Sequence, residues 1–125
     1  MSVKTFILGV GAQKAGTSWI HSYISQSENA CMGPLKEYHI WDGLWSPICR
    51  NYLLKKKPVP QDTKNYLRYC MQYFPGFYEH YFNSIFESGF CLTGDISPSY
   101  AVLSAKRLKQ IKSKIESVGA VVKCI

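Results

Sequence analysis

An α/β fold, a parallel sheet flanked by helices, is what this sequence predicts, and three observations lead there. Residues 6–10 are an apolar run that reads as a buried strand, after which Trp19, Ile20, Tyr23 and Ile24 recur on one helical face. Apolar runs at residues 90–93 and 120–125 bracket a helix that keeps Leu103, Leu108, Ile111 and Ile115 inside and its lysines outside. Strands alternating with helices need crossovers, and crossovers place the helices on the faces of a parallel sheet. With 125 residues, 46% of them hydrophobic and 14% aromatic, the chain can bury one core, so residues 1–125 read as one domain or part of one.

The elements follow in order. The first helix fades in the polar residues 25–29, and residues 30–32 read as a short strand that Gly33 and Pro34 break. Residues 36–41 read as extended, 55–60 with their two prolines as a loop, and 63–73 as a helix. Phe77, Tyr78, Tyr81, Phe82, Ile85 and Phe86 form an aromatic stripe at helical spacing, which core packing explains. Gly89 closes that helix, the strand 90–93 follows, and the last helix ends near residue 117.

The formal charge of +7, from 15 basic and 8 acidic residues, suits an anionic ligand without choosing among nucleotide, sulfated sugar and nucleic acid. Lys55, Lys56 and Lys57, and the group Lys106, Arg107, Lys109, Lys112 and Lys114, read as solvated surfaces. The five cysteines are widely spaced, with no C-x-x-C pair and no histidine cluster, so no metal is expected. Their odd number, in a chain without a secretory apolar segment, predicts reduced thiols and a cytoplasmic setting. The early apolar run is too short to cross a membrane, and neither a membrane nor nucleic acid is expected as a partner.

The chemistry concentrates in Gly11-Ala12-Gln13-Lys14-Ala15-Gly16-Thr17-Ser18-Trp19. This segment joins a strand's carboxyl end to a helix N-terminus, where free N–H groups and the helix dipole attract anions. Gly11 and Gly16 let the backbone approach a ligand with no Cβ in the way. A Walker loop would carry its lysine after the second glycine, whereas here Lys14 precedes Gly16 and Ala15 stands between them.

This string resembles the 5′-phosphosulfate loop of the sulfotransferases that use 3′-phosphoadenosine 5′-phosphosulfate (PAPS) as donor. The resemblance implies a P-loop-NTPase-like sheet. It also implies that Lys14 stabilises the departing nucleotide (PAP) while Gly16, Thr17 and Ser18 hold its 5′-phosphate. A second segment, Lys36-Glu37-Tyr38-His39, resembles the part of heparan-sulfate-type and bacterial-like sulfotransferases that carries the catalytic base. On that likeness Glu37 deprotonates the acceptor hydroxyl, and His39 orients it or contacts the sulfonate; cytosolic-type sulfotransferases use a histidine base, which makes His39 as base the alternative. In an extended segment 36–41, Glu37, His39 and Trp41 share one face, and Lys36 and Tyr38 the other. A third segment, Gly94-Asp95-Ile96-Ser97-Pro98-Ser99-Tyr100, resembles the family's E-K-T-P-x-Y, making Asp95, Ser97 and Tyr100 candidates for substrate contact. Ile96 stands where some relatives place an active-site lysine.

The implied activity is transfer of a sulfonate group from PAPS to a hydroxyl on a carbohydrate or small metabolite. In the family, the strand matching residues 120–125 is followed by the segments that bind the donor's 3′-phosphate. Residues 1–125 therefore correspond to the N-terminal part of one such domain, expected to be truncated at the C-terminus, and the last strand leaves a sheet edge open to self-association. A nucleotide-binding or interaction module without turnover is the alternative, and a P-loop kinase or NTPase a third.

Overall fold

The computed structural model of the chain describes residues 3–11 and 17–125, with the backbone alone for residues 17–19. At its centre lies a three-stranded, all-parallel sheet in the order β2-β1-β3, formed by β1 (Thr5–Gly9), β2 (Leu92–Ile96) and β3 (Val121–Cys124). The register aligns Leu8 with Asp95 on one side and with Cys124 on the other, so all three carboxyl ends lie along one edge. Parallel neighbours cannot be joined by a tight turn. The β1–β2 crossover holds α1 (Thr17–Ser25), α2 (Trp41–Trp45), α3 (Thr63–Tyr73) and α4 (Phe77–Glu87), and the β2–β3 crossover holds α5 (Ala105–Glu116). Mixed α/β architecture is thus what the strand and helix periodicities foretold.

Phe6 and Leu8 are fully buried, and α4 covers them: the Phe6 and Phe82 rings meet edge-on at 4.8 Å, Tyr78 and Phe82 at 5.0 Å. Ile111 and Ile115 of α5, fully buried with an apolar i, i+4 spacing, complete this layer. The aromatic stripe on α4 is therefore core. Helix α3 begins at an Asp62 cap whose carboxylate accepts from Asn65 N–H, and α5 at a Ser104 cap whose hydroxyl accepts from Arg107 N–H.

Three boundaries differ from the sequence reading. Residues 30–32 do not make a strand. Ala30 forms one isolated parallel bridge to Leu92, and Gly33 turns the chain away with φ +75 where a Cβ would strike the Tyr38 hydroxyl. The strand read at 90–93 lies later, at Leu92–Ile96, which draws Gly94, Asp95 and Ile96 into the sheet. Gly94 explains its own presence there, because a Cβ at this position would collide with the Ile7 carbonyl of β1.

The third difference matters most for function. Residues 36–41 are not extended. The chain bends through them, His39 takes a left-handed φ of 54, and Trp41 opens α2. Among the described residues no strand lies alongside to receive these backbone groups, so side chains do it instead. Ser97 Oγ accepts from Tyr38 N–H (3.0 Å) and His39 N–H (3.2 Å), and Tyr100 Oη accepts from Ile40 N–H (3.2 Å). Arg68 donates to the Glu37 and Tyr38 carbonyls, and Gln72 to that of His39. Trp41 consequently packs in the core against Tyr78, at 5.0 Å, rather than beside Glu37 and His39. Tyr38 is buried while Lys36 is exposed, so those two share no face either.

Gly94→Ala forces β1 and β2 apart at their closest approach. A loss of about 1–3 kcal/mol in denaturant-unfolding free energy is expected, and a variant as stable as the parent contradicts this packing.

Candidate functional site

Asp95 is fully buried at the carboxyl end of β2, and three hydroxyls converge on it: Tyr78 at 2.8 Å, Tyr100 at 2.7 Å and Ser97 at 2.7 Å. Because the carboxylate only accepts, it takes the protons of Ser97 and Tyr100 and leaves their lone pairs facing the 38–40 backbone N–H groups. Burial raises the Asp95 pKa to about 6, against the opposing pull of the hydrogen bonds from Tyr100, Ser97 and Tyr78. The phenols of Tyr100 and Tyr78 are pushed well above their ordinary range, first by burial and then by the Asp95 charge. Both remain donors at every physiological pH.

The loop held in this way presents His39. Its Nδ1 lies 2.7 Å from Asp42 Oδ2 and its Nε2 2.9 Å from Glu37 Oε2. An imidazole flanked by carboxylate oxygens on both nitrogens needs a proton on each. Burial alone would lower its pKa, but the hydrogen bonds and charges of Asp42, then of Glu37, outweigh burial and raise it. The arrangement thus favours the imidazolium form of His39, bridging two carboxylates. Tyr52, from the 3-10 turn Pro47–Tyr52, stacks flat on the ring at 3.6 Å and 3°.

Asp42 is fully buried within α2, and its second oxygen accepts from Gly43 N–H. Ser99, in the 3-10 turn Pro98–Val102, donates to Asp42 Oδ2 at 2.6 Å and lies 3.3 Å from His39 Nδ1. Glu37 has a side chain 39% exposed, so one end of the relay faces solvent and the other is sealed. A left-handed φ at a non-glycine residue is sparsely populated and persists only where its surroundings impose it. Here that conformation turns the imidazole back onto Glu37.

The sequence-derived candidates divide into three groups. Glu37 and His39 come together, through a backbone turn rather than strand alternation. Asp95, Ser97 and Tyr100 lie beside them but are all fully buried, and their polar atoms hold the 38–40 loop instead of facing outward. Of the loop candidates, Gly11 follows β1 at the same carboxyl edge, and Thr17, Ser18 and Trp19 open α1, whose first turn carries no acidic residue. Ala12, Gln13, Lys14, Ala15 and Gly16 lie outside the described residues. Ile96, 2% exposed, packs over Gly9 within the sheet.

Asp42, Tyr52 and Ser99 belong to the site and were not singled out from the sequence. Asp42 carried a usable signal, since an acid three residues after a histidine can face it across one turn. Tyr52 and Ser99 carried none. The basic residues of α5 stand elsewhere: Arg107 stacks on Trp45 at 4.4 Å, Lys114 lies 5.5 Å from the Trp41 ring, and neither touches His39. All five cysteines are free thiols. Among the described residues no helix is long and apolar enough to cross a membrane, and no cluster of metal-ligating side chains occurs. No protein-family model, curated protein or solved structure matches this chain.

Two measurements follow from these charges. In an imidazole NMR titration His39 loses its proton above pH 6.5, and Asp42→Asn brings that midpoint down; a His39 midpoint at or below 6.5 in the parent chain contradicts the bridge. Asp95 binds its proton more tightly folded than unfolded, so its contribution to stability is complete below 3.8 and is lost as pH rises toward about 6. Across that window the parent loses stability relative to Asp95→Asn in denaturant melts. A constant difference between the two would sink the assignment.

Proposed function

We propose that this chain is a sulfotransferase-type domain of P-loop-like fold, in which Glu37 is the base for a hydroxyl acceptor and PAPS the donor. The observation that carries this reading is the place of the Glu37–His39–Asp42 relay. It stands at the carboxyl edge of a parallel sheet, the edge at which β1 runs into the Gly11-to-Ser18 segment and α1. Ligands of open parallel sheets sit at that edge. The helix entry there, free of acidic residues in its first turn, suits a phosphate-bearing donor.

On this reading Gly16, Thr17 and Ser18 hold the donor's 5′-phosphate, Lys14 meets the charge that develops on the leaving PAP, and PAPS supplies the sulfonate. Glu37 takes the proton as the acceptor oxygen forms its new bond to sulfur and the bond from sulfur to the phosphate oxygen breaks. His39, held between two carboxylates, fixes the orientation of Glu37. Asp42 keeps the imidazole in that role.

A nucleotide-binding module without turnover is the second reading, and Ile96 favours it: an apolar side chain fills the position at which some relatives place a lysine. A kinase-like reading has no comparable support, because Lys14 precedes Gly16.

Calorimetry with PAP and a transfer assay with PAPS separate these readings. PAP binds the parent chain, Lys14→Ala weakens that binding, and Glu37→Gln lowers transfer about 10²–10⁴-fold with PAP affinity unchanged. PAP binding with no transfer to any hydroxyl acceptor supports the module instead. A folded chain that ignores PAP overturns both.

A further inference from the structure

Beside the relay lies a cavity of about 430 Å³ between the two 3-10 turns, Pro47–Tyr52 and Pro98–Val102. Two of its walls are the residues that touch His39 from outside the relay: Tyr52, stacked on the ring, and Ser99, hydrogen-bonded to Asp42. We infer that this cavity binds the body of a neutral, ring-sized hydroxyl compound, and that such compounds, rather than charged sugars, are the acceptor class.

The lining chemistry carries the inference. In a chain with 15 basic and 8 acidic residues, no charged side chain lines this cavity. A charged acceptor would find no counter-ion there and would lose hydration on entry. The mouth is apolar, with Ile48 at 76% and Val102 at 47% exposure. Exposed apolar side chains gathered at the rim of a concavity mark a binding surface more than scattered ones do.

The polar complement is small and uncharged. Neither the Asn51 amide nor the Tyr52 hydroxyl has a hydrogen-bond partner among the described residues, and Ser99, which donates its proton to Asp42, keeps a lone pair to accept. An apolar enclosure with a few convergent hydrogen-bonding groups is the general form of a small-molecule site, and the volume lies in the range of ligands with one or two rings. The basic groove of about 640 Å³ on α5 is lined by Lys106, Arg107, Lys109 and Lys114 and shares no wall with this cavity. Attraction of anions to that face is therefore separate from what enters this cavity.

That the occupant is an acceptor rests on the sulfotransferase reading; that the cavity binds it does not. β-Naphthol, neutral at pH 7, and naphthalene-2-carboxylate, its anionic counterpart, are titrated into the labelled chain and followed by amide NMR. Naphthol is expected to shift Asn51, Tyr52 and Ser99 amides, with the carboxylate at least tenfold weaker there despite the chain's net charge of +7. Ile48→Glu and Val102→Glu, both on exposed rims, weaken naphthol at least tenfold while leaving the amide spectrum of the core unchanged. Equal or tighter binding of the carboxylate at those amides, naphthol shifts elsewhere, or rim variants that bind naphthol as the parent does would overturn the cavity. Sulfonate transfer to naphthol with KM raised in the rim variants supports the acceptor assignment. Transfer with an unchanged KM overturns it. Naphthol bound in the cavity, with no transfer to any acceptor, overturns the enzymatic reading and leaves the site standing.

Discussion

One buried carboxylate organises the site. Asp95 lies within the sheet with no exposed surface, and the two phenols and one hydroxyl that surround it are what make its burial tolerable. Each of those hydroxyls except that of Tyr78 has a second task, because its lone pair receives an N–H of the 38–40 loop. A charge in the sheet is thereby translated into the position of a loop outside it. If Asp95 were apolar, Ser97 and Tyr100 would have no reason to point their lone pairs at that loop.

The outer network repeats the same physics nearer the surface. Asp42 is sealed, Glu37 is partly exposed, and the imidazole between them sets one nitrogen against each carboxylate. Tyr52 covers the flat face of the ring. Arg68 and Gln72 of α3 donate to the loop's carbonyls, so the relay is held both by the residues that follow β2 and by a helix. Precision of this kind comes from many modest hydrogen bonds acting on one short segment, none of which is strong alone.

Much of the fold was legible because its signals are periodic. The helix read at residues 63–73 is α3 to the residue, since a capping Asp62 and an amphipathic run agree. The apolar face of α5 and the buried β1 run were equally clear. Short α2 was missed because Trp41-Asp-Gly-Leu-Trp45 is too brief for a period and contains a helix-weakening glycine. The segment 36–41 was read as extended. What overruled that reading was tertiary: no strand among the described residues lies beside it, and four distant side chains, Ser97, Tyr100, Arg68 and Gln72, take its backbone groups. Contacts between residues thirty to sixty positions apart leave no local trace, which is also why Ser99 went unnoticed. The pairing of Glu37 with His39 was anticipated, although the left-handed turn that makes it was not.

The strand order has a consequence for how the molecule comes together. β1 is the central strand, and both of its neighbours are supplied from the far end of the chain. β1 must therefore wait for β2 and β3, and the closure of two long loops precedes any reward from sheet pairing. The relay waits longer still, because its loop is shaped only once β2 has delivered Asp95, Ser97 and Tyr100. Until that moment the β1 edge is open on both sides, and the interval in which the chain is vulnerable to misassociation is built into its topology.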